Sequence, residues 1–283
     1  MLSIGLSTTR FAPSPTGRLH LGHALSAVLA HDFAGDRGGA FLLRIEDIDP
    51  GRSREEHVAG MVEDLHWLGL SWDGPVVRQS DRLPLYAAAL DRLKAEGLVY
   101  PCFCTRADIA RSVSAPHGPE GPLYPGTCRG LSEADPSRPH AWRLDVTQAA
   151  ARVGRLIWSD HGQEIEAQPD LLGDVVLARK DAPTSYHLAV TVDDAAQGIT
   201  DVVRGRDLFL STHIHRLLQA LLDLPTPAYH HHKLLIGPDG ERLAKRHGAL
   251  SLADLRDQGI DPQAIVEPIR AGAAPLGFRL SDA

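Results

Sequence analysis

The chain is short of several things, and each shortage removes a class of function. No apolar run approaches the roughly 20 residues that a bilayer-spanning helix needs. The N-terminus lacks a basic stretch followed by an apolar one, so no secretory leader is expected. The expectation is a soluble, cytoplasmic protein with no membrane partner. Only three cysteines occur in 283 residues, and in a cytoplasmic chain that favours metal over disulfide. Lysine is confined to Lys94, Lys180, Lys233 and Lys245. Basic charge is therefore mostly arginine, and a formal net charge of −7 argues against a non-specific nucleic-acid binder. A local basic patch is still sufficient for one RNA partner. There is no internal repeat and no low-complexity tail. The length suits one large domain or two small ones, and a hydrophobic content of 43% supports a packed core.

What is present is organised around RFAPSPTGRLHLGH, Arg10 to His23. A short strand ending near Arg10–Ala12 gives way to a turn forced by Pro13, Pro15 and Gly17. Leu19, Leu21, Ala24, Leu25, Val28 and Leu29 then recur at helical spacing. His20 and His23 fall in the first turn of that helix, on one face. The free N–H groups and positive dipole end there suit a phosphate. Gly22 leaves room for a flat ring on the backbone. The same pair on an ordinary amphipathic helix would be surface histidines; the strand–loop–helix context favours the phosphate site.

Ala40–Ile45 reads as a buried strand, short, apolar and bounded by glycine. It ends in Glu46-Asp47-Ile48-Asp49-Pro50. Carboxylates at the carboxyl end of a parallel strand sit where open α/β sheets bind ligands, and one can hold an ammonium group. Asp47 or Asp49 can instead cap a helix, the expected role of Asp49. Helices are expected over 53–68 and 83–94, so strand and helix alternate around a parallel sheet. Residues 98–104 are strand-like, which points Cys102 and Cys104 to one face. Proline- and glycine-rich chain leads to Cys128, so all three cysteines share one insertion. Three thiolates need a fourth ligand for tetrahedral zinc, and His117 is nearby. Residues 141–166 read as strands and turns. Residues 170–180 read either as a helix over 171–175 or as a strand running into Arg179–Lys180. Tyr186–Val192 is expected to be a strand ending in Asp193-Asp194, and Ile199–Gly205 another, followed by a helix from about Ser211 to Leu222. His230-His231-His232 lie on a strand whose side chains alternate faces, so they do not converge on one ion. Residues 250–283 read as two short helices around Asp261-Pro262.

HLGH resembles the HIGH signature of class I aminoacyl-tRNA synthetases, and the longer string is similar to their glutamyl and glutaminyl branch. The second signature of that family, KMSKS, corresponds to Arg242-Leu243-Ala244-Lys245-Arg246, which keeps the second lysine, Lys245. RIEDID is similar to the RIEDTD segment of the glutamyl branch. The block from Tyr186 through Asp193-Asp194 to Arg204-Gly205 resembles its amino-acid pocket. C-x-C followed by Y-x3-C resembles the zinc site of the glutamyl-queuosine tRNA-Asp synthetases, truncated paralogues of that branch, where a tyrosine completes the sphere.

The resemblance implies an α/β fold: a Rossmann-like parallel-sheet catalytic domain with an inserted zinc-containing subdomain and a short helical C-terminal region. The expected boundaries are 1–97 and 186–248 for the catalytic halves, 98–185 for the insertion and 249–283 for the C-terminal helices, with no anticodon-binding domain. It implies ATP with Mg²⁺ at His20, Gly22, His23 and Lys245. L-glutamate is implied at Arg10, Phe11, Ala12, Pro13, Ser14, Glu46, Tyr186 and Arg204, and one structural Zn²⁺ at Cys102, Cys104, Tyr124 and Cys128. The chemistry agrees, because glutamate has two carboxylates and arginine grips a carboxylate with two parallel hydrogen bonds. The implied reaction forms glutamyl-adenylate and then passes glutamate to queuosine in tRNA-Asp, in a monomer with His20, His23 and Lys245 as catalytic groups. Three rival functions are a glutamyl-tRNA synthetase charging tRNA-Glu, a small-molecule nucleotidylyltransferase and a non-catalytic zinc-dependent tRNA-binding module.

Overall fold

The computed structural model describes residues 6–111, 117–118, 121–131, 135, 137–237 and 250–282. In chain order the elements are β1 (Thr8–Phe11), α1 (Leu21–Gly35), β2 (Ala40–Ile45), α2 (Glu55–Trp67), β3 (Val77–Arg78), α3 (Leu83–Ala95), β4 (Val99–Cys102) and α4 (Arg106–Arg111). Then follow β5 (His117–Gly118), β6 (Gly121–Pro122), β7 (Ala141–Leu144), α5 (Val146–Val153), β8 (Ile157–Asp160), β9 (Gln163–Glu166), β10 (Val176–Ala178) and α6 (Tyr186–Ala196). The chain ends with β11 (Asp201–Gly205), α7 (Ser211–Leu221), β12 (Ala228–His232), β13 (Leu234–Ile236), α8 (Leu252–Asp257), α9 (Gln263–Arg270) and β14 (Arg279–Ser281). They form two compact units. One holds residues 1–81, 198–208 and 227–283, the other 82–197 and 209–226.

The first unit is a parallel α/β layer. β1 pairs in parallel with β2, with Arg10 opposite Leu42, and β2 pairs in parallel with β3. Thr200, just ahead of β11, donates its backbone N–H to the Thr8 carbonyl (3.0 Å), which sets β11 beside β1. β11 pairs in parallel with β12, with Arg204 opposite His231. α1 packs on this layer through Leu21, Ala24, Leu25, Ala27, Val28 and Ala30, all buried. Thr9 donates its Oγ1–H to the Ala30 carbonyl (2.7 Å), joining strand and helix. Gly39 turns the chain into β2 against Ser7. A Cβ there would stand 1.8 Å from the Ser7 carbonyl oxygen, so only glycine fits. Leu43, Ile45, Leu65, Leu252 and Ile265 are fully buried in the same core, each contributing about 2 kcal/mol of burial.

The second unit has an antiparallel sheet in the order β10-β7-β4 and a β8–β9 hairpin. Its helices include two departures from expectation. Tyr186–Val192 is not a strand but the first two turns of α6. Leu188, Ala189, Val190, Thr191, Asp193 and Asp194 are all buried there, so an apolar run cannot distinguish helix from strand by period. The tertiary bonds decide. The fully buried Asp193 carboxylate accepts from Arg82 Nε and from Tyr86 Oη, both at 2.7 Å. Residues 141–166 also contain α5, whose N-terminus is capped by Asp145 accepting from the Gln148 N–H (3.0 Å). Residues 169–172 are a 3-10 turn rather than a helix over 171–175, and the strand expected within 170–180 forms only as the short β10, which ends just before Arg179. In the first unit, Asp49 does not cap α2. Arg54 occupies that position without a side-chain cap, and Asp49 instead accepts from Arg52 Nε (2.9 Å). The C-terminal region adds a strand, β14, antiparallel to β13.

His213 on α7 carries a pH dependence. Burial holds its imidazole below the ordinary histidine pKa of 6.5. Its Nδ1 accepts from Trp158 Nε1 (3.4 Å) and from the Gln168 N–H (3.1 Å), which requires a neutral ring. The unfolded chain therefore takes up a proton at higher pH than the folded one. The stability contributed by neutral His213 is complete above about pH 6.5 and is lost as pH falls below it. Urea unfolding between pH 7.5 and 5 should show this loss in the wild type and a shallower slope in His213→Phe. Equal slopes would remove His213 as its source.

Candidate active site and metal site

The N-terminus of α1 is closed by its own histidines. His20 is the N-cap residue and His23 the third helical residue. His20 Nδ1 accepts the Gly22 N–H (3.1 Å), and His23 Nδ1 accepts the His20 N–H (3.1 Å). An Nδ1 that accepts a hydrogen bond bears no proton, so each neutral imidazole carries its hydrogen on Nε2. The rings stand 3.9 Å apart between centroids, tilted by 37°. Two Nε2–H donors thus belong to one helix N-terminus, where the dipole favours an anion. Gly22 has a specific reason to be glycine, since a Cβ would meet His20 Cε1 at 3.0 Å. The flat ring that this glycine accommodates is His20 itself. The first residue of the signature and the one before it are tied to a distant segment: the Leu252 N–H donates to the Leu19 carbonyl (2.8 Å), and His20 bridges to Ser251.

The other expected glutamate ligands of the first unit surround the carboxyl ends of its parallel strands. Arg10 and Phe11 end β1, and both are buried. Ala12, Pro13 and Ser14 continue in the loop. The Glu46 N–H donates to the Pro13 carbonyl (3.0 Å), which joins the ends of β1 and β2. Glu46 is itself buried, with Arg44 Nη2 at 3.5 Å from its carboxylate. Arg44 is fully buried and shares a strand face with Glu46. Arg204 on β11 donates Nε to His231 Nε2 (3.2 Å) and Nη2 to the Leu208 carbonyl (3.1 Å). Its guanidinium carbon stands 5.3 Å from the Tyr229 ring centroid. Tyr186 opens α6 in the second unit, beside the rings of His187 and His215. Lys245 lies outside the described residues.

Sequence reasoning did not anticipate that Arg44 packs against Glu46 or that His231 accepts from Arg204. The alternation of a strand was the available signal, because R-x-E places Arg44 with Glu46. The histidine triplet splits as expected. His230 bonds Asp201 (2.9 Å), His231 bonds Arg204, and His232 bonds Ser26 (2.9 Å). Asp47 also has a role, accepting from the backbone N–H and hydroxyl of Ser80, both at 2.8 Å.

The three cysteines meet. Their sulfurs lie within 4.8 Å of one another, the one such cluster of potential metal ligands among the described residues. Cys104 and Cys128 sulfurs are 3.6 Å apart, and the Tyr124 hydroxyl is 3.7 Å from Cys104. Sulfurs bound at about 2.3 Å to one tetrahedral ion stand about 3.8 Å apart, so the donor set fits such an ion. Burial pushes the Cys104 thiol up to about 11 and, with bonds to the cysteines, holds the Tyr124 hydroxyl above its usual range. Hydrogen bonding, first from Tyr124, overcomes burial at Cys128 and brings it down to about 7. Metal capture here therefore releases protons. The side chain of His117, the alternative ligand, lies outside the described residues.

Comparison with known proteins places the chain in a family. Residues 7–277 match the family model for the catalytic domain of class I tRNA synthetases (E and Q). A glutamyl-Q tRNA(Asp) synthetase of Rhodobacter capsulatus is 52% identical over 270 residues, 91% of this chain and 97% of that protein. A glutamyl-Q tRNA(Asp) synthetase of Deinococcus radiodurans is 46% identical over 276 residues, 96% and 90% of the two chains. A crystal structure of a glutamate tRNA ligase from Elizabethkingia meningosepticum, in complex with its amino acid, superposes with a TM-score of 0.75 at 26% identity. That match covers 93% of this chain, which spans 60% of the ligase.

Metal at the cysteine cluster should protect its ligands as a set. Iodoacetamide labelling followed by mass spectrometry should add three alkyl groups to metal-stripped protein and none to metal-loaded protein. Modification of any one cysteine in the loaded protein would remove it from the ligand set.

Proposed function

The chain belongs to the class I tRNA synthetases of the glutamate and glutamine type, and on that premise we propose that it activates L-glutamate with ATP and transfers the glutamyl group to queuosine at the wobble position of tRNA-Asp. The observation that carries this reading is the His20–His23 pair, with its two Nε2 donors at a helix N-terminus, in a chain that matches a relative so named along nearly its whole length. His20 and His23 donate to the ATP phosphates, against the backbone at Gly22. Arg10 and Arg204 grip the glutamate carboxylates, Glu46 accepts the α-ammonium group, and Phe11, Ala12, Pro13 and Ser14 lie beside them at the strand ends. Tyr186 is the further glutamate ligand that the family resemblance implies. One glutamate carboxylate oxygen attacks the α-phosphorus in line. The bond to pyrophosphate breaks, and Lys245 balances the charge gathering on that leaving group. Mg²⁺ enters with ATP as part of the substrate. The glutamyl group then moves from the adenylate to queuosine and AMP leaves. Positioning and charge stabilisation supply the catalysis, with no covalent enzyme nucleophile. Cys102, Cys104, Tyr124 and Cys128 hold Zn²⁺, which serves as a structural cross-link between chain segments.

Two arginines suit the two carboxylates of glutamate. Labelled glutamate should transfer to tRNA-Asp from queuosine-containing cells and not to tRNA from queuosine-deficient cells. Transfer to tRNA-Glu from both sources would overturn the queuosine reading in favour of a glutamyl-tRNA synthetase. Gly22→Ala separates chemistry from folding. Helix propensity favours alanine over glycine by about 1 kcal/mol, and the disturbed His20 cap costs about as much, so the melting temperature should change little. The displaced His20 ring should lower glutamate-dependent ATP–pyrophosphate exchange at least tenfold. Exchange at the wild-type rate would remove the ring's position from the mechanism.

A further inference from the structure

The metal-site tyrosine has a neighbour that the ligand set does not account for. Arg143 lies on β7 directly across the ladder from Tyr100 on β4. Strand alternation puts Cys102 on the same face as Tyr100. From there the Arg143 guanidinium carbon stands 3.9 Å from the centroid of the Tyr124 ring. Arg143 Nη1 donates to the Asp174 carbonyl oxygen (2.6 Å). Arg143 Nε is buried with no hydrogen-bond partner among the described residues. An orphaned buried donor is unfavourable. The guanidinium is thus placed for its flat face on the ring rather than for its full set of hydrogen bonds.

The same node reaches the other end of the ligand segment. The buried Asp174 carboxylate accepts from Arg129 Nε (3.0 Å) and Nη2 (2.5 Å), from Tyr100 Oη, and from the Val146 N–H (3.0 Å). Arg129 directly follows the ligand Cys128. Asp174 therefore holds Tyr124 through Arg143 and Cys128 through Arg129. Charge points the same way. Three thiolates and a phenolate around one divalent ion sum to two negative charges, and a cation on the electron-rich face of the ring offsets them. Groups behind metal ligands commonly change affinity 10–100-fold when removed.

We propose that Arg143, anchored by Asp174, is an outer-shell positioning residue of the metal site, holding Tyr124 in the ligand set by ring stacking and charge balance. It rests on the zinc reading above. It predicts that a side chain with the charge but not the flat face only partly substitutes.

The test is zinc affinity by competition with a chromophoric chelator, together with the visible spectrum of the Co²⁺-substituted protein. Wild type should bind one equivalent, and Cys104→Ser should lose it. Wild-type protein that binds no zinc would overturn the zinc reading and the proposal together. With zinc bound normally, Arg143→Gln should weaken affinity by tenfold or more and shift the Co²⁺ bands, with Arg143→Lys intermediate. Tyr124→Phe should lower affinity and make the further change Arg143→Gln nearly silent. Unchanged affinity and spectrum in Arg143→Gln would overturn the proposal. So would an equal loss from Arg143→Gln in the Tyr124→Phe background, which would mark Arg143 as support for the fold alone. Should Arg143→Gln fail to fold, Arg143→Lys and Tyr124→Phe carry the same comparison, and an Arg143→Lys site identical to wild type would overturn it.

Discussion

An imidazole has two ring nitrogens, and a hydrogen bond to one determines what the other can do. At the start of α1 both histidines spend Nδ1 on backbone N–H groups, which caps the helix and fixes both tautomers in one stroke. The groups that stabilise the fold and the groups that would meet a phosphate are therefore the same two side chains. Gly22 follows from this arrangement, because His20 must lie over the backbone to accept its bond. The link from Leu252 to the Leu19 carbonyl follows too, since it fixes the residue just ahead of the cap.

The same economy governs the arginines of the first unit. A buried guanidinium is expensive unless its donors are directed. Arg204 is directed by His231, Leu208 and the Tyr229 ring, and Arg44 is placed against Glu46. Glu46 and Arg204, both expected to recognise a charged substrate, thus each stand against another polar side chain. In the second unit the equivalent nodes are Asp193, which ties α3 to α6, and Asp174, which gathers Tyr100, Arg129 and Arg143 around the cysteine cluster. Both carboxylates are nearly fully buried, and both are surrounded by donors.

Much of this was legible before any coordinates. The strand, proline-rich loop and helix around HLGH follow from residues 8–29, because proline and glycine punctuate and the leucines keep helical spacing. The clustering of three cysteines in one insertion pointed to a metal, and their sulfurs meet. The histidine triplet divides among Asp201, Arg204 and Ser26, as the alternation of a strand predicts. The failures share a cause. Tyr186–Val192 reads as a strand when taken alone, since a run of buried apolar residues has no visible period. Asp49 looked like a helix cap, but Arg52 claims its carboxylate. The helix α5 carried its own signal in Asp145 ahead of Val146–Val153, and the neighbouring strands obscured it.

Local chemistry therefore determined the motifs, the parallel α/β character of the first unit and the gathering of all three cysteines in one insertion. Each depends on residues close in the chain or on a composition that permits few alternatives. Tertiary structure alone decided that α6 is a helix, that His231 stands against Arg204, and that Arg143 covers the ring of Tyr124. Those outcomes rest on buried charges finding partners across long sequence separations. Such pairings leave no periodic trace in the chain, because one well-placed donor is enough to satisfy each of them.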